Sequence, residues 1–276
     1  MSGSIFSLWQ DIKDLARSLL YDKESACLLC ATHVSGGQVF CDDCKQTYFR
    51  PDLNRCSHCG KLLESQHTEC EDCVAGRGPK GMEQAVAWGH YTGAWREFIQ
   101  NVKFKSQPYL LKRLGPPLGD FALRHLPPPN WIVPVPLHDE RLGERGFNQA
   151  AAMASLLHWE LGIPLWEGLH RVQPTAPQVG LSRKERLHNL ESVFQIVSSS
   201  RGLKQIQGAR VWLIDDVTTT GATLEHCAKV LKRSGAAQVY GLVLAAGLEK
   251  GQKKDYSASE FGVIIGSDRR ESVTIF

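Results

Sequence analysis

A chain of 276 residues, 42% hydrophobic and 22% charged, has the composition of a globular protein with one large or two modest domains. Its net charge of +3 is too small for bulk electrostatics to demand a nucleic-acid partner. No apolar run approaches the roughly 20 residues that span a bilayer, and the N-terminus lacks the pattern of a secretory signal, so a cytoplasmic location is expected.

In chain order, residues 1–26 come first. Ile5, Leu8, Trp9, Ile12, Leu15, Ala16 and Leu19 recur at helical spacing, which predicts an amphipathic helix with one apolar face. Its polar face mixes acids and bases. Packing on the rest of the protein or on a partner subunit therefore suits it better than a membrane surface.

Residues 27–76 hold eight of the nine cysteines, as Cys27-x-x-Cys30, Cys41-x-x-Cys44, Cys56-x-x-Cys59 and Cys70-x-x-Cys73. In a reducing compartment this pattern points to metal rather than disulfides. A CxxC turn presents two thiolates on one knuckle, and two knuckles complete the tetrahedral four-thiolate shell of structural Zn²⁺. Gaps of ten, eleven and ten residues separate the pairs, so two zinc ribbons in tandem are expected. Joining the first two knuckles and the last two is the simplest pairing, and a crossed pairing satisfies the same spacing. Four protein ligands leave no open coordination position, so both metals would be structural. His33, His58 and His67 are read as surface residues. From Cys27 to Cys73 there are four Lys/Arg against seven Asp/Glu, a poor match to a phosphate backbone. A scaffold or protein-contact role fits better. Gly76 to Gly81 reads as the linker out of this module.

Residues 82–250 alternate strand and helix patterns. Ala85 to Tyr91 reads as a strand and Trp95 to Phe104 as a helix. Lys103 near its end suits the helix dipole and equally suits an anionic ligand. A second helix, about Tyr109 to Leu126, is interrupted near Gly115-Pro116-Pro117. Trp131 to Val135 is a short strand running into a charged loop. In that loop Arg141, Arg145, Gly146, Phe147, Asn148 and Gln149 form a candidate anion site, since arginine forks bind phosphate bidentately and Gly146 permits close backbone approach. A helix follows to about Leu161. Residues 170–190, with two prolines, one glycine and four Lys/Arg, read as a lid that closes with a short helix. Val193 to Val197 suggests a strand and Ser198 to Gly208 a polar connection.

Val211 to Thr223, VWLIDDVTTTGAT, carries the densest chemistry. Val211 to Ile214 read as a buried strand, followed by the carboxylates Asp215 and Asp216. Thr218, Thr219, Thr220, Gly221, Ala222 and Thr223 then lead into a helix that ends near Gly235. A loop entering a helix offers backbone N–H groups and the positive end of the dipole to a phosphate. The acids can accept sugar hydroxyls or hold Mg²⁺. Cys227 lies on the apolar side of that helix and reads as core. Val239 to Leu244 is the last strand. Residues 251–276 form a polar tail without an assignable element.

Alternating strands and helices argue for an open, mainly parallel α/β sheet preceded by the small metal module. Ligands of such sheets bind beyond the carboxyl ends of the strands. The Asp215–Thr223 and Arg141–Gln149 loops both follow strands and should open on one edge. The expected ligand is a phosphorylated sugar with a second phosphate group.

The signature VWLIDDVTTTGAT resembles the phosphoribosyl-pyrophosphate motif of type I phosphoribosyltransferases. Together with the four CxxC pairs, the ERGFNQ loop and the segment VQPTAPQVGLSRKERLHNL, it makes residues 27–245 similar to the ComF/GntX family. The resemblance implies a phosphoribosyltransferase fold and binding of phosphoribosyl pyrophosphate (PRPP) with Mg²⁺. Asp215 and Asp216 would then meet the ribose hydroxyls, directly or through Mg²⁺. Thr218 to Thr223 would cradle the 5′-phosphate. Arg145, with the backbone to Asn148, would lie by the pyrophosphate. Gln178, Arg186 and Asn189 would belong to the lid. The implied chemistry is glycosyl transfer, with pyrophosphate leaving the anomeric carbon and Arg145 and Mg²⁺ neutralising it. No general base or nucleobase pocket is legible. Three functions follow: a phosphoribosyltransferase linked to DNA uptake (competence); a non-catalytic adaptor of DNA uptake or processing with a helicase partner; and a single-stranded DNA binder using Lys103, Phe104 and Lys105 with Arg183 to Arg186.

Overall fold

The computed structural model describes residues 26–63, 66–104, 108–172, 193–197 and 200–247. The expected N-terminal helix, the lid residues Gln178, Arg186 and Asn189, and the tail lie outside the described residues. The chain divides into two units, Met1–Lys45 with Tyr256–Phe276, and Gln46–Asp255. The division falls between the two ribbons, not at the Gly76–Gly81 linker.

In the first unit the knuckles are shaped by backbone bonds, Cys27 N–H to Thr32 O (2.8 Å) and Leu28 N–H to Val39 O (2.9 Å). A single helical turn, Asp42–Cys44, forms the second knuckle, and the sulfur of Cys41 accepts from the Cys44 N–H.

After a π-helical segment, Lys45–Phe49, come an antiparallel hairpin, β1 (Asn54–Arg55) and β2 (Leu62–Leu63), and a helical turn, Glu71–Val74. The α/β part follows as β3 (Gln84–His90), α1 (Gly93–Phe104), a 3-10 segment (Pro108–Leu114), α2 (Gly115–His125) and β4 (Trp131–Pro134). Next come α3 (Asp139–Arg145), α4 (Gln149–Leu161), β5 (Leu169–Arg171) and β6 (Phe194–Ile196). The described chain closes with α5 (Ser200–Ile206), β7 (Arg210–Thr218), α6 (Ala222–Arg233) and β8 (Gln238–Ala246).

The main sheet has the order β3-β8-β7-β4, and every pair in it is parallel. The expected parallel α/β sheet is therefore present. Of its central strands, β8 is buried along almost its whole length and β7 over Val211–Ile214, where helices cover both faces. Val211 and Leu213 join Leu224, Cys227, Ala228 and Leu231 of α6 in one core cluster. Trp212 points to the opposite face, where its indole N–H donates to Pro127 O (2.9 Å). Cys227 is fully buried in that core, as its helical position implied.

The second ribbon is joined to the edge of this sheet. Ala85 N–H donates to His58 O (2.8 Å) and Ala87 N–H to Gly60 O (3.4 Å). The Arg55 guanidinium donates to Phe49 O, Ala87 O and Trp88 O, and lies over the Phe121 ring. Phe49, Trp88, Trp95 and Phe98 form a run of ring contacts, tilted, edge-on and stacked in turn. Gly60 must be glycine, since its φ is +71° and a Cβ would lie 2.3 Å from the Val86 Cα.

Three sequence expectations need correction. The signature strand continues to Thr218 instead of ending at Ile214, because Asp215, Val217 and Thr218 pair with Val243, Ala245 and Ala246 of β8. The charged loop after β4 folds largely into α3: His138 caps it, two acids occupy its first turn, and Gly146 ends it in the left-handed conformation. The polar connection at 198–208 holds α5, whose Ile206 is fully buried and whose Gly202 carbonyl accepts from the Trp166 indole.

Candidate functional site

β4 and β7 are parallel neighbours, with Pro134 paired to Ile214, so the segments that leave them open on the same sheet edge. This was the expectation from the alternating pattern. It brings the acids of β7, the cradle at α6 and the arginines of α3 to one place.

Asp215 and Asp216 are both half-buried in the second half of β7. The Asp216 N–H donates to the Asp215 carboxylate (2.8 Å). Burial, reinforced by the Asp216 charge, pushes the Asp215 carboxyl up to about 7, against the opposing pull of Lys103 and Arg171. Asp216 is engaged by the Lys103 ammonium at 2.8 Å. A carboxylate pair of this kind can share one proton or hold a divalent cation.

The cradle follows without a break. Thr218 is buried, Thr219 is exposed, and the Thr220 hydroxyl accepts from the Ala222 N–H (3.4 Å). Gly221 caps α6 with φ +74°, a left-handed turn that favours glycine. Ala222 and Thr223 begin a helix of twelve residues, whose first turn directs N–H groups and the positive dipole end toward the loop.

Arg145 ends α3 and donates to the Gln149 side chain (3.4 Å). Burial holds its pKa below the usual arginine value, while the nearby Asp216 charge raises it. The charge of Arg141 acts on both Arg145 and Arg171. Gly146 has open space around it. Asn148 serves the helix rather than the solvent side of the loop. Its side-chain oxygen accepts from the Ala150 and Ala151 N–H groups, and its amide donates to Val135 O (3.0 Å).

Each expected group of four cysteines converges. The sulfurs of Cys27, Cys30, Cys41 and Cys44, and those of Cys56, Cys59, Cys70 and Cys73, lie within 4.8 Å of one another in each group. The simple pairing is thus the one adopted. Cys30 and Cys41 sulfurs are 3.5 Å apart and Cys59 and Cys70 sulfurs 3.6 Å, close to the roughly 3.8 Å edge of a tetrahedron with zinc-sulfur bonds of about 2.3 Å. Burial pushes the Cys44 and Cys73 thiols up, while the hydrogen bond with Cys59 pulls the Cys56 thiol down to about 4, so each cluster mixes easily and reluctantly ionised thiols. Donor type, number and spacing all fit Zn²⁺. His58 is not a ligand and not merely a surface residue, for its Nε2 bonds to Pro79 O.

Two family models match the chain. A double zinc ribbon domain covers residues 17–74 and a phosphoribosyl transferase domain covers residues 144–271. "Competence protein F" of Haemophilus influenzae is 35% identical over 198 residues, 69% of this chain and 84% of that protein. The chain belongs to the ComF family. "DNA utilization protein YhgH" of Escherichia coli K12, 30% identical over 221 residues, covers 77% of this chain and 93% of its own. "Competence protein ComFC" of Streptococcus pneumoniae is 29% identical over 204 residues, 72% of this chain and 84% of that protein.

Within this ComF-family chain, sequence reading missed one residue of the site and named another without its role. Arg171 on β5 lies near enough to Asp215 for its charge to oppose the carboxyl's upward shift. Gln149 is 4% exposed, receives Arg145, and keeps a side-chain N–H without a hydrogen-bond partner among the described residues. Gln149 was expected in the anion loop, whereas Arg171 stands in no recognisable motif of its own. Only the sheet topology brings Arg171 to the acids. No helix among the described residues is long and apolar enough to cross a membrane.

Proposed function

We propose that this ComF-family protein binds phosphoribosyl pyrophosphate with Mg²⁺ at the edge formed by β4 and β7, and transfers the phosphoribosyl group. What supports the reading is the contiguity of the Asp215–Asp216 pair with the glycine-capped N-terminus of α6. On this reading Thr218, Thr219, Thr220, Gly221, Ala222 and Thr223 surround the 5′-phosphate. The two acids face the ribose hydroxyls and the Mg²⁺ that the pyrophosphate carries. Arg145, Arg141 and Lys103 form the cationic side of the site, where negative charge builds as pyrophosphate leaves. Bound Mg²⁺ would supply charge neutralisation at that leaving group. Gly146 ends the helix that carries Arg145, and Asn148 caps the start of the next through its side chain.

Calorimetric titration of the zinc-loaded protein with PRPP and Mg²⁺ tests this. A saturable heat with one site per chain is expected, lost in the double variant Asp215→Asn with Asp216→Asn while zinc content persists. No heat and no thermal shift would sink the reading.

A second reading draws on the names of the relatives, which speak of competence and DNA utilization. Here the same site is kept for ligand sensing, and the chain acts as an adaptor of DNA uptake that binds a helicase or single-stranded DNA. Capture of a helicase partner unaffected by the two Asp changes favours the adaptor. Retention of single-stranded DNA at low salt, lost at high salt, favours the direct DNA contact.

A further inference from the structure

The linker leaving the second ribbon does more than connect two modules. Gly78 lies against the metal knuckle: a Cβ there would be 2.6 Å from the Cys73 sulfur and 2.9 Å from the His58 ring. The next residue, Pro79, presents its carbonyl to the His58 ring nitrogen. Its own ring lies against Gly221, where a Cβ would meet the Pro79 Cβ, Cγ and Cδ atoms at 2.8, 3.0 and 3.2 Å. Two residues on, Gly81 abuts Lys229 of α6, with a Cβ position 3.2 Å from the lysine Cγ. So residues 78–81 are wedged between a four-cysteine cluster and the first turns of α6. Gly221 is the residue whose left-handed turn opens that helix.

We propose that Pro79 is a positioning residue of the phosphate cradle, held in place by His58 of the second ribbon, so that metal at Cys56–Cys73 and a phosphate ligand at Thr218–Thr223 favour one another. This rests on the reading of the cradle as a phosphate site. The physical argument has two steps. Metal binding fixes the knuckle, because four thiols in so small a module have little other reason to stay together. The fixed knuckle then sets His58 and Gly78, and through them the wall of proline that limits the backbone of Gly221. A cradle whose amides are already arranged binds an anion without the ordering penalty. By linkage, whatever factor the metal adds to ligand affinity, the ligand adds to metal retention.

The test uses the full chain loaded with zinc, and the variants Pro79→Gly, His58→Ala and His58→Gln. Glutamine keeps a side-chain N–H for the Pro79 carbonyl and serves as the rescue. Two readouts are needed. The first is amide hydrogen exchange across 218–224 without ligand. Faster exchange in Pro79→Gly and His58→Ala, with wild-type exchange in His58→Gln, is expected, and unchanged exchange overturns the proposal. The second is the rate at which a colorimetric chelator withdraws zinc, with and without PRPP and Mg²⁺. PRPP should slow withdrawal of one of the two zinc ions in the wild type and not in Pro79→Gly, whose PRPP affinity should fall roughly two- to fivefold. A wild type that binds PRPP yet loses both ions at unchanged rates overturns the coupling and leaves the proposed function standing. A wild type that binds no PRPP removes the proposed function, and the exchange experiment still decides the role of Pro79. If Pro79→Gly does not fold, the His58 pair carries the same comparison.

Discussion

The Lys103 ammonium stands 2.8 Å from the Asp216 carboxylate, with both side chains less than one fifth exposed. The pair joins the last turn of α1 to the strand that carries the acids. Such a contact is only lightly screened by solvent. The lysine thus neutralises an acid that the proposed function needs for ribose or Mg²⁺. On that proposal, ligand binding would be an exchange, with Asp216 released to help hold Mg²⁺ and the Lys103 ammonium free to meet a phosphate oxygen.

If that exchange operates, Lys103→Met should weaken PRPP binding about tenfold, the scale of one charge-assisted contact. Affinity for ribose 5-phosphate, which has no pyrophosphate, should change little. Since the Lys103 charge pulls the Asp215 carboxyl down, its removal should also shift the pH midpoint of binding upward. Calorimetry with both ligands, at pH values on either side of neutrality, checks all three points.

Asp215 makes both binding and stability depend on pH. Its carboxyl is raised from an ordinary 3.8 to about 7, so affinity for a Mg²⁺-bearing ligand should drop as pH falls below about 7. Stability moves the other way. Between about pH 4 and 7 the folded chain keeps a proton that the unfolded chain has released. The stabilising contribution is full below about 4 and is lost as pH rises through about 7. Asp215→Asn keeps an acceptor for the Asp216 N–H and removes the buried charge. It should raise the stability at about pH 8 by on the order of 2 kcal/mol and leave it unchanged near about pH 4. Thermal unfolding at the two pH values reads the difference.

Arg55 is the rivet between the second ribbon and β3. Replacing it with alanine leaves the carbonyls of Phe49, Ala87 and Trp88 without their guanidinium and removes the cation from the Phe121 face. A loss of about 2–4 kcal/mol is expected in denaturant unfolding. Arg55→Lys should recover little, since an ammonium cannot reproduce the planar fork.

Metal analysis should find two zinc ions per chain, one for each group of four cysteines. Cys59→Ser should leave one and lower the melting temperature, because its cluster holds a ribbon bonded to the sheet.

Much of this was legible because it rests on short-range rules. The CxxC spacing dictates paired thiolates, and an apolar strand carrying two acids ahead of Thr-Thr-Gly dictates a loop that enters a helix. Even the interrupted helix at Gly115–Pro117 appears, as a 3-10 segment giving way to α2. Hidden from the sequence were the consequences of pairing. The β8 ladder extends β7 past the acids to Thr218, which no apolar run announced. The helix α3 depends on the His138 cap and the Gly146 turn, which read as loop chemistry when taken alone. Arg171 belongs to the site only through the topology that folds β5 toward β7. Asn148, expected near an anion, turns out to hold α4 and Val135 together.

The ribbon bonded along β3 also bears on how the protein stays dispersed. β3 is an edge of the sheet, and an uncovered edge invites strands from other chains. Here His58 O, Gly60 O and the Arg55 guanidinium occupy its outward N–H and C=O groups. The second four-cysteine cluster thus guards the sheet against edge-to-edge aggregation. Chain stripped of that metal should precipitate by strand addition before the α/β core itself has melted.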